Sequence, residues 1–65
     1  MIQVNEKHIA HEPGMTVADL LKKEGVSSAI AAVWMNDHIV PRDRHATTVI
    51  PDEAVIQIVL MAPGG

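Results

Sequence analysis

The sequence predicts a small α+β domain, a mixed sheet of four to five strands with one helix packed across it. Three observations predict it. Apolar residues alternate with polar ones near the start of the chain, in its middle and near its end, which is strand periodicity. Between the first and second of these regions lies one stretch with helical spacing and a stop or start signal at each end. Turn-forming residues then divide the extended segments into two hairpins.

The first strand is read in Met1 to Asn5, where Ile2 and Val4 share a face and Gln3 takes the other. Asn5-Glu6-Lys7 forms a tight turn, and His8 to Glu12 returns as a second strand with Ile9 as its core residue. Pro13-Gly14 breaks the extended chain. The helix is expected over Val17 to Glu24. Thr16 is a good cap for it, Asp19 three residues on comes close to a capping box, and Met15 and Leu20 are placed to form a hydrophobic staple. Lys22 and Lys23 suit the negative end of the helix dipole, and Gly25 is a natural residue to follow the last turn.

Ser27-Ser28 reads as a loop. Ala31 to Met35 alternates, with Ala31, Val33 and Met35 on one face and Ala32 and Trp34 on the other. Asn36-Asp37 supplies a two-residue turn, because both residues tolerate left-handed backbone. His38-Ile39-Val40 returns as a short strand, stopped by Pro41. Arg42 to Thr48 is polar and irregular, Val49-Ile50 a brief strand or turn, and Pro51-Asp52-Glu53 a turn. Val55 to Met61 is the most apolar strand, with Ile56, Ile58 and Leu60 on one face and Val55, Gln57, Val59 and Met61 on the other. Only Gln57 is polar, which points to a middle strand with both faces partly covered. The helix is expected to cover Ile2, Val4, Val33, Met35, Ile56 and Ile58. Truncating Leu20 or Ile58 to alanine is expected to cost about 2–5 kcal/mol.

With 65 residues the chain is one domain, and its thin core makes it only marginally stable. It has no cysteine, so disulfides, thiolate zinc sites and thiol chemistry are excluded and packing must hold it together. The N-terminal residues lack the basic and apolar regions of a signal peptide, and the longest apolar run, Ala29 to Met35, is far too short for a membrane span. A formal charge of −3, without basic blocks, argues against nucleic acid as a partner. His8, His11, His38 and His45 lack companion ligands and read as solvated surface residues, so no metal is expected. Ser27 and Ser28 have no adjacent base, which argues against nucleophilic catalysis. Alternation points Trp34, the one aromatic residue, away from the core. With Val59 and Met61 it can form an apolar partner surface leading to the chain end, and Arg42 and Arg44 can pair with acidic groups on a partner or on this domain.

The segments Thr16-Val17-Ala18-Asp19-Leu20-Leu21, Asn36-Asp37-His38-Ile39-Val40-Pro41-Arg42, Ala46-Thr47-Thr48-Val49 and Ile56-Gln57-Ile58-Val59, with the terminal Gly64-Gly65, occur in this element order. Together they resemble the thiamine-biosynthesis sulfur carrier family, which has the ubiquitin-like β-grasp fold. The resemblance implies a β-grasp domain over residues 1–61 and a flexible diglycine tail over 62–65. It implies that the carboxylate of Gly65 is adenylated with ATP, becomes a thiocarboxylate and donates sulfur for thiazole formation. Gly64 and Gly65, lacking Cβ atoms, would thread a narrow partner channel. The chain itself would be a co-substrate, with no bound cofactor and no catalytic residues. Its implied partners are a ubiquitin-activating-type adenylyltransferase, thiazole synthase and, indirectly, a persulfide donor fed by a cysteine desulfurase. It would be cytoplasmic, and monomeric when free.

Two positions depart from the family pattern. Asn36-Asp37 stands where Asn-Gly is usual, and Asp52-Glu53-Ala54 where Asp-Gly-Asp is usual, so both turns are expected to be reshaped. Three other functions fit the same residues. One is the small subunit of molybdopterin synthase, with the same tail chemistry. Another is a β-grasp interaction module with an inert tail, and the last a modifier joined to lysines.

Overall fold

The computed structural model describes residues 1–61. Its strands are β1 (Ile2–Val4), β2 (Lys7–Ile9), β3 (Ala31–Met35), β4 (His38–Val40) and β5 (Val55–Leu60), and its α-helix is α1 (Val17–Lys23). The strands form one five-stranded sheet in the order β2-β1-β5-β3-β4. β1–β2 and β3–β4 are antiparallel hairpins, β3 and β5 are antiparallel, and β1 and β5 run parallel. This mixed sheet with one helix across it is the β-grasp arrangement. β5 is central, as its apolar content suggests.

Local chemistry explains the helix. Thr16 Oγ1 accepts from Asp19 N at 3.2 Å and Asp19 Oδ2 accepts from Thr16 N at 3.0 Å, so the capping box forms with aspartate in the usual glutamate position. Met15 and Leu20, the two staple residues, are both buried. The helix ends one residue earlier than expected, with Glu24 as its cap. Gly25 has φ +71°, Gly25 N donates to Lys22 O and Val26 N donates to Leu21 O. Those two bonds are the Schellman pattern, which satisfies carbonyls the last turn leaves free.

The core forms between the helix and one sheet face. Ile2, Val4, Val17, Leu20, Leu21, Val33 and Ile56 are buried there, joined by Ile50 and Ala54 from the loops. Val17 N donates to Thr48 O and Ile50 N to Met15 O, so the 48–50 stretch runs beside the start of the helix and carries Ile50 inward.

Several expectations are corrected. β2 spans Lys7–Ile9 and not His8 to Glu12, because the antiparallel register ends at Ile2↔Ile9. Met35 and Ile58 are only half-buried. Leu60 is 59% exposed, because the seven-residue helix does not extend over the far end of β5. The other face of β5 is uncovered: Val55, Gln57 and Val59 all reach solvent. Its apolar content therefore marks an exposed surface and not a second covering layer. The segment after Pro41 is not irregular throughout, since Arg42–Arg44 form a 3-10 turn that delivers His45 to the interior. His45 is thus no surface histidine.

The two turns lacking the usual glycine keep left-handed backbone. Asn36 and Asp37 have φ +50° and +70°, and Glu53 has φ +67°. The Asn-Asp pair holds the positive φ at both central positions that a type I′ hairpin turn requires. Glu53 accepts a conformation unfavourable for its side chain, helped by bonds from Glu53 N to Met1 O and to Asp52 Oδ1.

Candidate functional site

The sheet face opposite the helix carries the apolar surface. Directly paired residues share a face. Trp34 stands between Ile39 on β4 and Gln57 on β5, and Ala32 stands opposite Val59. Trp34 is half-buried among these neighbours. Ile39 and Val59 are 53% and 44% exposed, too much apolar area for side chains that pack only within this sheet. Val55 extends the surface toward β1, where it pairs with Gln3.

The proposed partner residues fall on or beside this face. Val59 lies diagonally across from Trp34, two positions along β5 from its direct partner. Met61 and Arg42 line one shallow depression of about 320 Å³ together with Ala29, Ala32, Ile39 and Pro41. Arg42 is exposed, yet its Nη1 donates to Ala29 O at 3.3 Å, so the guanidinium is partly engaged within the domain. Gly64 and Gly65 lie outside the described residues. The point at which the chain leaves the sheet is described: Met61 N donates to Ile30 O at 2.7 Å.

Ile39 was missed as a member of this surface. The signal was present, because Val40 turns inward and alternation therefore turns Ile39 outward beside Trp34.

The histidines separate into different environments. His8 and His38 are exposed. His11 is half-buried, with Nε2 2.8 Å from Ile50 O. His45 is 2% exposed, with Nδ1 2.8 Å from Ser28 Oγ and Nε2 3.2 Å from Val40 O. A carbonyl only accepts, so Nε2 carries the proton and Nδ1 accepts from the Ser28 hydroxyl, an assignment made from the network. Among the described residues no three histidine, aspartate or glutamate side chains gather as a metal-binding group. Among the same residues no helix is long and apolar enough to cross a membrane.

Comparison with known proteins places this geometry. The family model described as "ThiS family" matches residues 1–65. A crystal structure of a thiamine biosynthesis protein (ThiS) from Geobacter metallireducens superposes with a TM-score of 0.78 at 19% sequence identity, covering 98% of this chain and 97% of that one. An NMR solution structure of a thiamine biosynthesis protein from the same organism gives a TM-score of 0.76 at 19% identity, covering 98% of this chain and 86% of that one. At that identity the likeness is one of fold. No curated protein matches.

Proposed function

Because the chain belongs to the ThiS family, we propose that it is a sulfur carrier of thiamine biosynthesis whose loaded group is the carboxylate of Gly65. The observation that carries this reading is a family match over residues 1–65 that includes Gly64 and Gly65, the chain before them being tied to the domain at Met61 N by its bond to Ile30 O.

The chemistry follows from the poor reactivity of a carboxylate, whose delocalised charge resists nucleophilic attack. An oxygen of the Gly65 carboxylate attacks the α-phosphorus of ATP and pyrophosphate leaves. The resulting acyl adenylate has a good leaving group. A persulfide sulfur attacks the carbonyl carbon and AMP departs. A thiol attacks the remaining S–S bond at the donor's sulfur, forming a mixed disulfide with the donor and releasing the terminal thiocarboxylate, which then gives its sulfur to thiazole formation. The ATP site and the sulfur nucleophile belong to partner enzymes: an adenylyltransferase of the ubiquitin-activating type, supplied by a cysteine desulfurase-derived persulfide donor, and thiazole synthase. This chain is their shared co-substrate. Trp34, Val59, Met61 and Arg42, with Ile39, form the surface on which those partners dock.

The test is mass spectrometry of the full chain after incubation with ATP, the adenylating enzyme and a sulfur source. The expected product is heavier by about 16 Da, from sulfur replacing oxygen at the activated acyl group. No gain, under conditions that load a control carrier, overturns the reading. Deleting Gly65 is expected to abolish the gain. Biological activity that survives this deletion would favour an interaction module instead.

A further inference from the structure

We propose that the hydrogen bond between buried His45 and half-buried Ser28 is a positioning device that fixes where the chain leaves the domain at Met61, a role that rests on the carrier reading above.

The 3-10 turn Ser28–Ile30 precedes β3, and each of its three residues is bonded to a residue distant in sequence. Ser28 Oγ donates to His45 Nδ1 at 2.8 Å, Ala29 O accepts from Arg42 Nη1 at 3.3 Å, and Ile30 O accepts from Met61 N at 2.7 Å. The first two bonds tie the turn to the loop after β4. The third ties the end of β5 to the turn. The loop is itself anchored, since His45 Nε2 meets Val40 O and His45 O accepts from Ala18 N at 2.8 Å.

A buried imidazole is costly unless both nitrogens are bonded, and here both are. An apolar side chain could fill the same volume but could not set the turn's position. The imidazole nitrogens lie on different edges of a rigid ring, so the ring acts as a spacer between Val40 O and the Ser28 hydroxyl. Ile30 O continues the β3–β5 register beyond Ala31↔Leu60, so its bond to Met61 N is the ladder's next rung, and the clamped turn holds the rung at which the ladder ends.

That position matters because Gly65 lies only four residues beyond Met61. The four residues after Met61 span at most about 14 Å when fully extended. The direction taken at Met61 therefore governs which points Gly65 can reach. Loosening the turn widens that set of directions. A partner channel that accepts only one of them then binds the carrier more weakly, by the fraction of molecules correctly directed.

The experiment compares the full-length wild type with Ser28→Ala, which removes the hydroxyl, and Ser28→Thr, which retains it. Ser28 is half-buried in a short turn, so the alanine variant is expected to fold. Amide hydrogen exchange followed by NMR is expected to quicken at Met61 roughly five- to tenfold in Ser28→Ala, with the ladder amides of β1 and β3 unchanged and Ser28→Thr close to wild type. With the adenylating enzyme, Ser28→Ala is expected to raise KM for the carrier several-fold with kcat little changed. A wild-type exchange rate at Met61 overturns the proposal, and so does equal quickening of every ladder amide. Faster exchange with unaltered KM overturns its functional half. If the wild type is not adenylated at all, the carrier reading fails with that half, and the exchange result still decides whether the clamp exists.

Discussion

The side-chain amide of Asn5 completes the sheet along β5 at Ile58, with Oδ1 accepting from Ile58 N at 2.8 Å and Nδ2 donating to Ile58 O at 3.4 Å. The parallel pairing of β1 with β5 covers only Gln3↔Val55 and Val4↔Ile56. At Asn5 the backbone turns away with φ +53°. Its amide carries the same donor and acceptor as a peptide group and takes the place of the next rung. One residue thus makes the hairpin turn and continues the ladder on the central strand. Asn5→Asp keeps the acceptor and the tolerance for positive φ, and is expected to cost less than about 1 kcal/mol. Asn5→Ala loses both bonds and strains the turn, and is expected to cost about 2 kcal/mol. Urea denaturation measures both, and equal costs would show that the Oδ1 acceptor and the tolerance for positive φ contribute nothing.

The unequal cover of β5 separates two core substitutions. Leu20 is fully buried beneath the sheet, so Leu20→Ala is expected to cost about 2–5 kcal/mol and to unfold much of this small domain near body temperature. Ile58 lies where helix cover runs out, and Ile58→Ala is expected to cost about half as much. Thermal denaturation of the two variants checks the ranking. A reversed order would mean that the far end of β5 is better packed than the geometry indicates.

Trp34 and Ile39 face solvent side by side, so their roles in folding and docking separate. Trp34→Ala is expected to shift stability by about 1 kcal/mol or less, because the side chain is only half-buried. The same substitution is expected to weaken binding to thiazole synthase at least roughly tenfold, as truncating an aromatic anchor does. Titration calorimetry against the wild type reads the difference. An unchanged affinity would end the docking role of this face.

Asp52 and the amino group of Met1 form an exposed ion pair at 2.7 Å. The hydrogen bond from Met1 holds the Asp52 carboxyl below its ordinary 3.8, helped by the backbone bond from Glu53 and the charge of His11 and opposed by desolvation. The same bond raises the Met1 amino group above its ordinary 8.0, with the charges of Asp52 and Glu53 adding to it and desolvation opposing it. Asp52 therefore contributes stability that is present above 3.8 and lost as pH falls through its depressed folded value. Met1 contributes stability that is present below 8.0 and lost as pH rises through its raised folded value. Both groups are solvated, so the effect is small and weakened by salt. Melting temperatures of Asp52→Asn and wild type are expected to differ most near neutral pH and to converge at both extremes. A constant offset across the range would assign the effect to something other than this pair.

Much of the fold could be read locally. The helix boundaries, the capping box and the two turn positions follow from short-range chemistry: a threonine before an aspartate three residues on, a glycine after the last turn, and asparagine where the backbone must turn left-handed. The outward face of Trp34 followed from alternation alone. Val59 and Met61 could be named because alternation puts them on one face of the last strand, whereas the register that sets Val59 beside Trp34 and the depression shared by Met61 and Arg42 belong to the tertiary structure.

The sequence by itself determined the α+β class, the capped helix, the order of elements and the Gly64-Gly65 end on which the carrier proposal depends. Only the tertiary structure decided that His45 is buried, that Leu60 is bare and that Asn5 finishes the ladder on a strand more than fifty residues away. The reason is physical. Caps, turns and alternation are set by neighbours a few residues apart. Burial and hydrogen-bond partnership depend on which distant segment arrives alongside, and a histidine in a polar loop has no local pattern to distinguish an interior position from a solvated one.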